Sequence, residues 1–525
     1  VTTPFTFTKI RRKMVKRSKT SYIFTIRQLP ITEKVGFCYG YLMLLVFPLV
    51  YHDYYFDITA TKFMVFAIAT IAAFSLMLLS FVIQEDFSEQ LAAAFRLTKV
   101  DIILLVWLGV NVISCIFSIQ MDISLVGENA RWQGLLSVFL YVFAYFVISR
   151  AARVDLILLG VSMFTGAMVA LLGVLNHYGI DPLGFYERIK DSQMPKFLST
   201  LGNINIYSSF VCMMLAATFA LFIFDEEKKR KGIWCGLLVL FSLGTFVANS
   251  DSGYIGIMLA LGILFFLVWK NKKGLACFFA GAGIFVLSLF LYGKLQIVLA
   301  ERAVEASGLT DILISIDWLL SVGAVICFAL AVIYYMMQKK QLPKGYFHGI
   351  TVCVVIGVIV VIGVICHNDS MAGFFEFNDE WGTYRGYVWS RLWRIFTDFS
   401  PGRILIGAGQ GTILELMTAN FDGEMQAVTN SVYDSAHNEY LQSMITTGML
   451  GAISYVTLLV TLIARGIRYF QKNNIPEKRA CMIFATIAVI AYAGQAFFSL
   501  AQPITTPLLF IFLGWMERMN RMENN

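Results

Sequence analysis

The sequence predicts an all-α polytopic membrane protein with about fourteen transmembrane helices and one large extracytoplasmic loop, and three observations predict it. Of its 525 residues, 58% are hydrophobic and only 14% charged, whereas soluble domains carry about 25% charged residues. Apolar stretches recur at roughly the 20 residues that a helix needs to cross about 30 Å of hydrocarbon. Runs such as GIFVLSLFLY lack the in–out alternation of a barrel strand, so the backbone satisfies itself as helices. Finally, Lys and Arg gather in alternate loops, as membrane topology requires.

The elements follow in order. Residues 1–35 form a basic segment expected in the cytoplasm. TFTKIRRKMVKRSK is not read as a cleavable signal, because the first apolar run starts only near Gly36 and lacks a small-residue exit. Spans are expected near 36–51, 63–83, 101–118, 134–149, 154–175, 205–224, 233–249, 253–269, 275–293, 315–337 and 347–366, which makes 36–366 the first membrane block. The large loop occupies 367–436, further spans lie near 437–464, 480–500 and 503–516, and 517–525 is a short tail. Arg150 and Arg153, Lys228 to Lys231, Lys270 to Lys273, Lys339 to Lys344, Arg465 to Arg479, and Arg518 with Arg521 fall in every second loop. Both termini are thereby expected in the cytoplasm. The net charge of +7 is dispersed over these loops, so no nucleic-acid partner is implied. Nine cysteines sit almost entirely inside apolar runs without C-x-x-C spacing, and they read as packing residues.

Two outer loops are long enough to fold, one from about Asn176 to Asn205 and the other from His367 to Ala436. The second breaks the charge rule with Arg385, Arg391, Arg394 and Arg403. In TYRGYVWSRLWRIFTDF, helical spacing puts Arg385, Trp389 and Trp393 on one face and Arg391 with Arg394 on another. Arginine forks suit phosphate, although Trp and Arg also anchor interfacial helices at lipid headgroups. The loop ends in DSAHNEYLQSMITTGMLG, where Asp434 or Ser435 can cap a helix with His437 in its first turn. A helix amino terminus favours neutral imidazole, which suits a general base. An interfacial histidine satisfied by a loop carbonyl is the plainer alternative. His437 and Glu439 do not share a helix face, so they are not expected to pair on a metal. Asp53 and Asp57 in the first outer loop are a weaker metal candidate beside a merely solvated acidic loop. LIGAGQGT, around Gly407, reads as a tight turn or a backbone nest for phosphate oxygens.

These residues resemble the O-antigen ligase and O-antigen polymerase superfamily. The resemblance is carried by SAHNEYLQSMITTGMLG, by RWQGLL from Arg131, by GNIN at Gly202 to Asn205, by the R-x-x-x-W element of Arg385 and Trp389, and by Leu405 to Thr412, all in the family's order over roughly residues 100–500. It implies a C-type glycosyltransferase-like fold in the bacterial inner membrane, with an undecaprenyl-diphosphate-linked glycan as donor and a glycan or lipid-glycan as acceptor. His437 and Arg385 would be catalytic. Arg131, Arg391, Arg403, Trp389, Asn438 and Glu439 would bind substrate, with neither metal nor cofactor. Many members carry an arginine in the short outer turn that here reads Ser250-Asp251-Ser252-Gly253, so either Arg131, Arg391 or Arg403 supplies the second cation or the donor is gripped differently. Chemically, arginines stabilise the charge growing on the leaving diphosphate, a histidine takes the acceptor's proton, and in-line attack inverts the anomeric carbon. The alternative, a lipid-linked oligosaccharide flippase, would show cations within its spans and two similar halves. Ligase and polymerase are not distinguished by these residues.

Overall fold

The computed structural model describes residues 29–83, 96–128, 131–340 and 376–524, together with the single residues 349, 352 and 357. The span expected at 347–366 therefore lies almost wholly outside the described residues, as do 1–28 and the first residues of the large loop. Helix α1 (Ile31–Tyr41) runs on through a π turn, Leu42–Val46, and a 3-10 turn, Phe47–Leu49. It is followed by α2 (Ile58–Ile83), α3 (Lys99–Ile116), α4 (Leu135–Ala151), α5 (Leu156–His177), α6 (Ile204–Phe224), α7 (Lys228–Val247), α8 (Asp251–Val268), α9 (Lys272–Val298) and α10 (Asp317–Lys340). After the break come α11 (Trp381–Thr397), α12 (Pro401–Ile406), α13 (Ile413–Thr429), α14 (Glu439–Lys472), α15 (Pro476–Gln495) and α16 (Thr506–Asn524).

Among the described residues, ten of these helices are long and apolar enough to cross a membrane, fewer than the fourteen expected. The shortfall has local causes. The first expected span is broken by the turns around Pro48, α4 is apolar but short, and α16 carries Glu517, Arg518 and Arg521 in its second half. Side chains define the helix starts: Thr98 and Asp101 form a reciprocal capping box on α3, Asp155 caps α5 and Asn203 caps α6.

The bundle has a centre and a rim. In α6, 94% of the apolar window is buried and in α15 83%, against 22% in α10, so α6 and α15 form the middle, with α8 packed on both. Exposed Ile68, Phe266 and Val325 mark the rim; such apolar surface suits lipid rather than water. Lys62, in the first turns of α2, is fully buried, and its Nζ donates to the carbonyls of Phe47, Pro48 and Val50 at 2.9–3.1 Å. It closes the carbonyl end that the turns after α1 leave open, which gives it a packing role.

Both long loops are folded where they are described. The first packs Phe185 between Tyr51, Tyr54 and Tyr55 of the α1–α2 loop, and a two-residue antiparallel ribbon pairs Phe197 with Asn203. Residues 376–436 build a small helical unit with its own core of Tyr387, Val388, Leu392, Ile413 and Met417. In LIGAGQGT, read as a tight turn or a phosphate nest, two of the amides are taken by protein carbonyls. Helix α14 is broken at Gly448 (φ 68°), and the carbonyls freed there are taken by the loop: the Ala408 N–H donates to Ile445 at 3.0 Å and Gly409 N–H to Thr446 at 2.9 Å. The Ser114 hydroxyl adds a third bond at 2.6 Å to the Thr446 carbonyl. The break lies about nine residues, roughly 14 Å, along the helix, where irregular backbone survives only if protein satisfies it. Gly407 and Gly448 permit the approach. A Cβ on either would stand 2.3 Å from backbone of the other segment.

Candidate functional site

The carboxyl end of the helical unit delivers its chain to α14, and the cap there differs from the expected one. Asn438, not Asp434 or Ser435, is the N-cap, accepting the amides of Tyr440 and Leu441 at 3.1 and 3.0 Å. His437 thus stands one residue outside the helix instead of in its first turn, in the left-handed region at φ 46°. A non-glycine residue held there costs free energy, and the surroundings must hold it in place. They do so on both sides. The indole N–H of Trp389 donates to the Ala436 carbonyl at 2.7 Å, and the Ala436 amide donates to Gln442 Oε1 at 3.1 Å. Trp389 is itself wedged among Trp381, Phe497 and Phe498.

Around His437 the charges converge. Burial first, then Arg385 and Arg131, lower its pKa to about 4, with Asp434 opposing. The imidazole is thereby neutral at physiological pH, and its buried Nδ1 has no hydrogen-bond partner. The Tyr433 ring meets it edge-on at 6.5 Å. Arg385 starts the regular part of α11, immediately after three left-handed residues, Gly382, Thr383 and Tyr384. That turn folds back, and the Gly382 carbonyl accepts from Arg385 Nη1 at 2.8 Å. Arg385 Nε, also buried, has no partner. Burial draws the guanidinium's pKa below its ordinary range, while Asp251 and Tyr433 act the other way. The Ser250–Gly253 turn, which has no arginine of its own, thus faces Arg385 through Asp251.

The other expected cations are mostly engaged. Arg131 makes a two-pronged ion pair with Asp434, at 2.8 and 2.7 Å. Arg391 is held by Asp379 at 2.8 and 3.0 Å and by Glu424. Arg403 keeps an unpartnered buried Nη1, but it is not among the charges acting on His437. Trp389 joins the site; Trp393, expected on the same face, is 55% exposed. Glu439 turns away into the bundle, where Tyr455 donates to it at 2.8 Å beside a cavity of about 50 Å³ lined also by Gln133, Gln410 and Gln442. Asp53 pairs with Arg188 at 2.8 Å, and Asp57 accepts from Thr61 at the start of α2, so the two carboxylates serve different partners. Among the described residues no group of three or more His, Cys, Asp or Glu converges as a metal-ligand set.

One group escaped the sequence reading. Glu128, in the short loop before α4, has its pKa raised to about 7 by burial and by the neighbouring charges of Asp434 and Glu415. Nothing in VGEN marks it, because those neighbours lie some 300 positions away and meet it only in the fold.

The family model described as O-antigen ligase matches residues 312–456, a segment that includes Arg385, Trp389, Arg391, Arg403 and His437. The superfamily resemblance read from the motifs is supported over that segment. No curated protein matched the chain.

Proposed function

We propose, from that family match and the site around His437, that the protein is a membrane glycosyltransferase. It would transfer or polymerise an undecaprenyl-diphosphate-linked glycan at the outer face of the bacterial inner membrane, with both termini in the cytoplasm. One observation carries this reading: a buried neutral histidine with an unpartnered nitrogen stands beside an arginine that also has an unpartnered N–H. The acceptor hydroxyl would attack the anomeric carbon, the carbon–oxygen bond to the diphosphate would break, and the proton would pass to the His437 imidazole. Arg385, which has no counter-ion within salt-bridge distance among the described residues, would take the charge developing on the departing diphosphate. Arg131 and Arg391 already hold carboxylates and suit positioning better than diphosphate binding. Asn438 and Trp389 would hold the histidine in place, and no metal ion would be required.

The test is His437→Ala in purified protein, assayed with a radiolabelled lipid-linked donor. General-base catalysis is typically worth about 10²–10⁴-fold, so transfer should fall by that factor while donor binding persists. Loss of donor binding along with folding would make the histidine structural. A flippase would instead move donor across vesicles in the His437→Ala protein undiminished.

A further inference from the structure

A second site opens on the Arg131 side of His437. A cavity of about 320 Å³ lies between the α1–α2 loop, the 197–206 segment and the turn before α16. That volume is at the lower end of the range for small-molecule sites, about 300–1,000 Å³. One wall is aromatic: Phe56 is 61% exposed, and beside it the 7% exposed Tyr55 is stacked against both Phe185 and Phe197 at 4.7 and 5.0 Å. The facing wall is polar, with Asn203, Gln502 and the Arg131–Asp434 pair. Gln502 is only 4% exposed, yet its Oε1 has no hydrogen-bond partner. A buried amide oxygen without a donor costs free energy, and a ligand hydroxyl would supply the donor it lacks.

We infer that this cavity is a carbohydrate subsite that seats sugar rings of the acceptor glycan. The exposed Phe56 ring against amides and a paired carboxylate matches a pyranose ring, which has an apolar C–H face and a rim of hydroxyls that both donate and accept. The neutralised Arg131–Asp434 pair fits an uncharged ligand better than a diphosphate. The same pair joins the cavity to the proposed base, since Asp434 lies three residues before His437 and both partners act on its charge. An acceptor bound here would adjoin Arg131 and a diphosphate would be held at Arg385, the two arginines that act on His437. The assignment to the acceptor rests on the transferase reading; the binding it predicts does not need transfer.

The experiment uses the purified full chain and an array of lipid-free neutral oligosaccharides as the probe. Wild type and His437→Ala should retain the same oligosaccharides, and undecaprenyl diphosphate without sugar should not displace them. Gln502→Leu keeps the volume but removes the orphan oxygen, so retention should fall about tenfold, as for the loss of one buried hydrogen bond. Thermal stability in the same variant should hold or rise. Phe56→Ala, at an exposed position, should weaken retention without a folding cost. The inference fails if no array member is retained or if both variants bind like wild type. Displacement by undecaprenyl diphosphate would assign the sugars to the donor and overturn the acceptor reading. Loss of transfer in His437→Ala with sugar retention unchanged would leave this site standing, and failure of transfer in wild type would strike only the reaction assigned above.

Discussion

At one end of the bundle, near the first and last described residues, a set of buried ionised side chains is matched to fixed partners. Asp101 accepts from Arg150 at 2.7 Å, from Tyr145 at 2.9 Å and from the Thr98 amide at 2.7 Å. Arg518 donates to the carbonyls of Arg150 and Ala152 and reaches Glu33, and Arg465 lies 2.8 Å from Glu517. Both Glu517 carboxylate oxygens and the Trp515 indole N–H lack a hydrogen bond there; Arg465 holds Glu517 by charge. At the opposite end, Arg385, Ser435, His437 and Gln502 each keep a buried polar atom without a partner. Both clusters are dense in charge and partly buried, so density does not separate scaffold from site. What separates the Asp101–Arg150 network from the site is satisfaction: a network that completes itself has nothing left to offer a ligand, whereas orphaned donors and acceptors cost stability and can be filled by one.

Substitutions should divide along that line. The largest effect on folding is expected from Asp101→Ala, which strands Arg150 without its anion in a site where the two are 4% and 0% exposed. Breaking a buried pair costs about 3–5 kcal/mol. The detergent-solubilised protein should show a sharply lower thermal midpoint, while transfer per folded molecule is unchanged. A catalytic loss with a normal midpoint would remove the distinction between the two ends. Next in size is Arg385→Lys, which keeps the charge and loses the fork. Transfer should fall about ten- to a hundredfold, or roughly 1.5–3 kcal/mol for a paired bond to a charged group, with the midpoint nearly unmoved. The same change at Arg394, whose guanidinium lies over the Phe421 ring at 5.9 Å, should be milder. Equal losses at the two positions would favour headgroup anchoring for the whole helix.

Much of this contrast was readable before the fold was known, and the unread part has a common cause. Span positions follow from runs of like character along the chain, and outside the undescribed 347–366 each expected span meets a helix. His437, Arg385 and Trp389 could be named as candidates because the sequence keeps them within motifs. What could not be read depends on chain distance. Gly407 and Gly448 explain one another only when the loop and the broken helix touch. Glu128 is perturbed by Asp434 and Glu415, and Arg131 and Arg391 looked free because Asp434, Asp379 and Glu424 are assigned to them only by folding. The cap of α14 was misplaced by a few residues because Asp434, Ser435 and Asn438 are all good caps, and local propensity does not choose among them.

The smallest expected effect is a displacement of the pH profile, and it discriminates between the two candidate bases. A solvent-exposed histidine would lose its proton near pH 6.5, but burial and the two arginines bring the pKa of His437 to about 4. The neutral form is the base, so kcat/KM, which reports the free protein, should rise with pH through about 4 and stay level to neutrality. Donor binding should change this. A diphosphate beside Arg385 offsets part of the positive charge that depresses the imidazole, so the limb seen in kcat should lie at higher pH than the limb in kcat/KM. The bound substrate would in that way raise the basicity of the group that needs it. Glu128, with a pKa raised to about 7, gives the opposing outcome. If kcat/KM instead rises near pH 7, and Glu128→Gln abolishes that rise together with activity, the carboxylate is the base and His437 a neighbour. If Glu128→Gln leaves a limb near 4 that His437→Ala removes, the unpartnered imidazole is the working group and the acidic cluster around Arg131 serves to place the acceptor.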